Sequence, residues 1–222
     1  MNPSRRTLAR ALIAASGLAL AGAPALAQGA AVKVGVIGPF SGPFAHYGAL
    51  FKAGVEAYVA SQGGKLAGKD IEFIYRDTGG PNPGQTKTLV QELIVKDKVD
   101  YLGGFVFTPN ALAVAPLIQQ SRTPTVVFNA ATSAITEKSE YFLRTSYTLW
   151  QVTVPLAQWA AQQNMKKVVT AVTDYGPGID AEAAFKSEFV KQGGTVVESI
   201  RMPIATTDFG PFVQRIKASG AQ

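Results

Sequence analysis

The sequence predicts an α/β protein built on parallel sheets flanked by helices, and three observations carry that prediction. Short apolar runs alternate with amphipathic segments along most of the chain. Glycine- and proline-rich stretches follow several of the apolar runs, as loops at strand ends do. The alternation restarts after residue 145, which divides the chain into two units. Strands separated by helices pair in parallel through right-handed crossovers.

The first 27 residues stand outside this pattern. Arg5, Arg6 and Arg10 precede a run over 11–23 rich in Ala and Leu, and Ala25-Leu26-Ala27 is a small-x-small cleavage site. This reads as a secretory signal peptide cleaved after Ala27, with an apolar run too short to span a bilayer. Ser4-Arg5-Arg6-Thr7-Leu8 resembles a twin-arginine signal, so two export routes stay open. Cleavage removes three of the 21 Lys and Arg residues and no acid, leaving 18 bases against 15 acids. That balance is mildly basic, and no dense Lys/Arg run carries interleaved aromatics, which argues against a nucleic-acid partner. The chain has no cysteine, which excludes disulfides, thiolate chemistry, cysteine-ligated metals and lipoprotein attachment. With 47% apolar residues, an ordinary hydrophobic core can replace them.

The first unit, 28–145, opens with a strand over 32–37 and a loop to residue 48. A helix over 49–61 places Leu50, Ala53, Gly54, Ala57 and Tyr58 on one face, and Gln62-Gly63-Gly64 ends it. Residues 69–76 alternate as a second strand, and 77–84 is a loop in which Asp77 forms the turn. A helix over 85–96, a strand over 99–106, a helix entered through Thr108-Pro109-Asn110 and a strand over 125–128 follow. Residues 129–139 read as loop, and 141–144 as a short extended piece ending at Arg144, a structural ion-pair partner. The second unit, 146–222, carries helices over 149–163, 181–192 and 208–219 and strands over 167–173 and 195–202. Two strands are too few for a covered sheet, so this unit is expected to be incomplete and to continue past Gln222.

Ligands of open parallel sheets bind beyond the carboxyl ends of the strands. The loops there span 41–47, 107–110 and 129–133. Ser41 suits a helix N-cap, and the free N–H groups of a helix start attract a carboxylate. Catalytic readings find no support in the residues. Gly38-Pro39-Phe40-Ser41-Gly42 is not a G-x-S-x-G nucleophile elbow, and His46, the only histidine, lies five residues from Ser41. No G-x-G-x-x-G or P-loop is present, so no nucleotide cofactor is expected. A lone histidine without companion ligands makes no metal site.

Four stretches together resemble the substrate-binding proteins of ABC importers of the branched-chain amino acid (leucine/isoleucine/valine-binding) type. They are Gly38-Pro39-Phe40-Ser41-Gly42-Pro43-Phe44-Ala45-His46-Tyr47-Gly48; Tyr101-Leu102-Gly103-Gly104 with Ala113-Val114-Ala115-Pro116-Leu117; Asp174-Tyr175-Gly176-Pro177-Gly178; and Asp208-Phe209-Gly210-Pro211-Phe212. The resemblance implies a two-lobed periplasmic binding fold whose second lobe is incomplete in this chain, and it implies residence in the periplasm. It implies a small-molecule carboxylate ligand in the interlobe cleft, no catalysis, and a membrane permease as partner. By the same resemblance, Thr108 stands where the family has a hydroxyl for the ligand carboxylate. Ala130 and Ala131 stand where it often has Ala then Thr. Tyr47 matches an aromatic at the cleft mouth, and Tyr175 a second-lobe tyrosine that closes over the ligand. Ser41 and Phe107 complete the expected wall. The family's acid for a ligand ammonium would come from beyond Gln222. The ligand implied is a branched-chain or other hydrophobic amino acid. The alternatives are an aromatic or other amine-free carboxylate, favoured by the missing hydroxyl at Ala131, and a ligand-sensing role without transport.

Overall fold

A computed structural model describes residues 31–221, so the expected export signal lies outside the described residues. The first sheet has six strands in the order β2-β3-β1-β4-β5-β6. They are β1 (Val32–Gly38), β2 (Lys65–Leu66), β3 (Lys69–Asp77), β4 (Tyr101–Gly104), β5 (Thr125–Val127) and β6 (Phe142–Arg144). All neighbours pair in parallel except β2, a two-residue edge strand antiparallel to β3. The piece expected as merely extended is therefore a full partner of β5. Between these strands lie α1 (Ala45–Ser61), α2 (Pro83–Glu92) and α3 (Thr108–Ser121). A π turn over Leu93–Asp97 continues α2.

The core of this lobe is formed by Ile37, Leu102 and Val127 from the strands, Val90 and Leu93 from α2 and its extension, and Val114 and Ile118 from α3. Each such side chain, fully buried, is worth about 1.5–3 kcal/mol. α1 departs from the expected face. Leu50 and Tyr58 are exposed at 66% and 59%, while Phe51, Val55 and Val59 are half-buried instead. The helix also starts one turn early, because the 3-10 turn Gly42–Phe44 runs straight into it.

The second lobe carries α4 (Leu149–Gln162), β7 (Lys167–Thr173), α5 (Gly176–Lys191), β8 (Thr195–Met202) and α6 (Gly210–Ala218). A capping box between Thr148 and Gln151 starts α4. β7 and β8 pair in parallel with one irregularity at Val168/Val169. Ala157, Ala160, Val168 and Phe189 form the core. α5 begins at Gly176, five residues before the sequence suggests, since a proline at the second helical position is compatible with a first turn. Asp208 does not cap α6 as expected: Phe209 holds the cap position, and the Asp208 carboxylate accepts the Gly210 N–H at 2.9 Å. Among the described residues no helix is long and apolar enough to cross a membrane.

Candidate functional site

The carboxyl ends of β1, β3, β4 and β5 lie side by side, so the loops leaving them form one wall. Asp77, at the end of β3, ties that wall together. Its Oδ1 accepts the backbone N–H groups of Phe40 at 2.7 Å, Gly79 at 2.8 Å and Ser41 at 3.3 Å. Burial pushes the Asp77 carboxyl pKa up, but the Ser41 hydroxyl and these N–H groups outweigh it and hold the pKa below its ordinary value. Asp77 thus forms the local turn expected of it, through Gly79, and through Phe40 and Ser41 also clamps two loops together. Ser41 sits at the N-cap position, yet its side chain makes no capping bond and turns to Asp77. Beyond it, the Phe44 ring packs edge-on against Phe107, with centroids 4.9 Å apart.

The next loop leaves β4 through an enforced turn. Gly104 has φ +113°, and a Cβ there would lie 2.0 Å from the Ile37 carbonyl oxygen. Phe105 follows at φ +65° and donates its N–H to that same oxygen at 2.8 Å. This turn ends β4 two residues before the expected strand end and sets Thr108 as the first residue of α3. Thr108 is buried, and its hydroxyl lies 2.8 Å from that of Thr132. The family's second hydroxyl position was assigned to Ala131, but the hydroxyl that meets Thr108 belongs to the next residue, Thr132.

The loop after β5 is held from below by Arg144. Its guanidinium donates to the carbonyls of Thr132 at 2.6 Å, Ala130 at 3.4 Å and Ser133 at 3.5 Å. These partners are carbonyls and not the carboxylate expected of an ion pair. Ala130 is buried and donates its N–H to Phe105, and the Ala131 carbonyl accepts the Leu149 N–H at the start of α4.

The second lobe meets this wall at the start of α5. A Cβ on Gly176 would lie 2.4 Å from Thr132 Oγ1 and 3.2 Å from Thr108 Cγ2, so only glycine lets the helix approach this closely. The N-termini of α3 and α5 therefore converge on the paired hydroxyls. Tyr175, just before α5, faces Tyr47 across the cleft. Burial, and then the neighbouring Tyr47 phenol, raise the Tyr175 pKa. Its hydroxyl stays protonated near neutral pH.

Two adjoining hollows of about 210 and 170 Å³ fill the gap between the lobes. They share Tyr47, Val106, Asn129 and Tyr175, so they are halves of one cleft. Phe44, Phe107, Thr173 and Ile204 complete the first half, and Ala131, Tyr147, Leu149 and Pro177 the second. The structure thus brings Tyr47, Phe107, Ala131 and Tyr175 to the cleft. Thr108 and Ala130 lie directly behind its lining, and Ser41 stands apart. Phe107 is at once core and cleft wall. Asn129 and Thr132 fall in the 129–133 loop that the sequence places on this wall, though neither was singled out there, and Tyr147 was missed. No Asp, Glu, Lys or Arg lines either hollow. Among the described residues, no group of three or more His, Asp or Glu could hold a metal ion.

Comparison with known proteins places these features in context. Residues 31–222 match the periplasmic binding protein family. The chain is 55% identical over 212 residues to the "Leu/Ile/Val-binding protein homolog 6" of Brucella abortus (strain 2308), covering 96% of this chain and 54% of that protein. An ABC-transporter solute-binding protein from R. palustris, solved in complex with 4-hydroxybenzoate, is 61% identical with a TM-score of 0.84. A second, from Rhodopseudomonas palustris BisB5 in complex with 3,4-dihydroxy benzoic acid, is 46% identical with a TM-score of 0.82. Each structural match covers 86% of this chain and 52% of the other. The chain spans about half the length of the relatives it matches.

Proposed function

Because the chain belongs to the periplasmic binding protein family, we propose that it captures a small aromatic carboxylate, of the hydroxybenzoate class, between its lobes. The observation that carries this reading is the cleft lining. Four aromatic rings, Phe44, Tyr47, Phe107 and Tyr175, surround a space with no charged side chain. A benzoate ring buries its faces against such rings. Its carboxylate finds N–H groups at the converging starts of α3 and α5, which the Thr108–Thr132 hydroxyl pair braces from behind the lining. Tyr47, Tyr175 and Asn129 offer partners to a ring hydroxyl. Hydroxybenzoates in two similar solved proteins support the same class.

Capture works by closure in this reading. A ligand that touches both lobes binds the closed form better than the open one and shifts the balance toward it. The loaded protein then delivers its ligand to the membrane permease of an importer, after export to the periplasm. A branched-chain amino acid is the second reading, favoured by the name of the Brucella abortus relative. Thr132 restores the hydroxyl that Ala131 lacks, so the hydroxyl pattern does not separate the two classes. A buried ammonium group needs an anionic partner, which the resemblance places beyond Gln222, so it is the aromatic rings of the lining that favour the first reading.

Isothermal titration calorimetry of the full chain against 4-hydroxybenzoate, benzoate, leucine and valine tests the proposal. Micromolar or tighter binding of the aromatic acids, with no heat from the amino acids, is expected. Binding of leucine or valine alone would overturn it in favour of the second reading.

A further inference from the structure

We propose that Asp180 is a positioning residue for ligand capture, a carboxylate latch from the second lobe onto the loop that lines the cleft. The proposal rests on the cleft being the ligand site, but Asp180 itself lines neither half of it. Its Oδ2 accepts two hydrogen bonds from Ser133, 47 residues away and in the other lobe: the backbone N–H at 2.6 Å and the hydroxyl at 2.7 Å. Both are short and charge-assisted, the stronger class of hydrogen bond. Asp180 and Ser133 are each half-buried, so water screens the contact only in part.

The receiving loop is built to be pulled as one piece. Arg144 donates to three carbonyls between Ala130 and Ser133 and brings positive charge to the backbone beside the latch. The Asp180 charge acts on that guanidinium, offsetting part of the pKa depression that burial imposes on it. Thr132, next to Ser133, is fixed to Thr108. Gly176, four residues before Asp180 on α5, rests on that hydroxyl pair. One strip therefore runs from the first turn of α5 across Thr132 to Ser133, and the loop beneath it carries Ala131 into the cleft.

The thermodynamic consequence is ligand-independent. The apparent dissociation constant equals the intrinsic one divided by the fraction of protein in the closed form. A latch that favours closure raises affinity for every ligand of the cleft by the same factor, because it touches none of them. Removing the Asp180 charge lowers that fraction.

The test uses D180N, S133A and the double variant in the full chain, with 4-hydroxybenzoate and benzoate as probes and small-angle X-ray scattering with and without ligand. D180N is expected to weaken both probes equally, by about tenfold to a hundredfold. The loss should come through faster dissociation. S133A should lose less, since its backbone N–H remains, and the double variant should bind as D180N does. Without ligand, D180N should show a larger radius of gyration than the parent, with each lobe's thermal melting unchanged. Affinity within about twofold of the parent overturns the proposal, as does an unchanged radius of gyration. A loss confined to one probe overturns it too, because Asp180 would then be reading the ligand. If the parent binds neither probe, the aromatic-acid reading fails, and the scattering comparison alone decides the latch: expansion in D180N supports it and identity overturns it.

Discussion

Replacing Asp77 by alanine should loosen the first wall of the cleft by an amount that can be worked from its bonds. One carboxylate oxygen accepts three N–H groups, at 2.7, 2.8 and 3.3 Å. A hydrogen bond to a charged acceptor contributes about 1.5–3 kcal/mol. Ser41 is exposed, so water can replace the longest bond, and solvent screens the two short ones in part. The expected cost of Asp77→Ala is therefore roughly 2–4 kcal/mol. For a chain of this size that lowers the melting temperature by about 4–16 °C. Asp77→Asn keeps an oxygen acceptor and loses only the charge, so it should fall between the two. The pH dependence has a definite sign. The folded pKa lies below the unfolded value of about 3.9, so the folded state binds this proton less readily. The contribution is fully present above pH 4 to 5 and disappears as the pH falls through the lower, folded pKa. Thermal melting at pH 7 measures the first effect, and urea unfolding of parent and variants from pH 7 down to pH 3 the second. A melting point for Asp77→Ala within about 1 °C of the parent would sink the reasoning. So would a gap between parent and Asp77→Asn that widens, rather than narrows, as the pH drops.

Two further predictions concern the cleft. Thr108→Val removes the hydroxyl pair with Thr132 at little change in volume; it should cost about 1 kcal/mol of stability and weaken 4-hydroxybenzoate about tenfold, read by calorimetry. Tyr175→Phe should weaken hydroxylated benzoates while leaving benzoate itself nearly unaffected. Because the Tyr175 pKa is raised, the affinity of the parent should also stay flat between pH 6 and pH 9, and a decline over that range would contradict the assignment.

The parts of the fold that the sequence displayed are those governed by local pattern. β7 and β8 keep their expected bounds because alternation and flanking turns specify them. The end of β4 was over-extended because Phe105 and Val106 look like strand residues, whereas the positive φ at Gly104 and Phe105 turns the chain away first. The exposed face of α1 was misjudged because apolar residues lie on both sides of its one polar stripe, Lys52 and Glu56, so the pattern does not say which apolar stripe packs. Within the candidate site, Tyr47 and Tyr175 were reached through the family resemblance, and both line the cleft. Thr132 was passed over because a one-residue offset is invisible without coordinates. Asp180 carried no signal at all, since its partner Ser133 lies 47 residues away in the other lobe.

The clamp at Asp77 has a consequence for what has to move. With the loops after β1 and β3 fastened to one carboxylate, and Phe44 packed on Phe107, this face is braced by contacts that involve no ligand. In the capture proposed above, the movement therefore falls to the second lobe, and the differential affinity of a ligand acts on one displacement instead of also having to shape a loose wall.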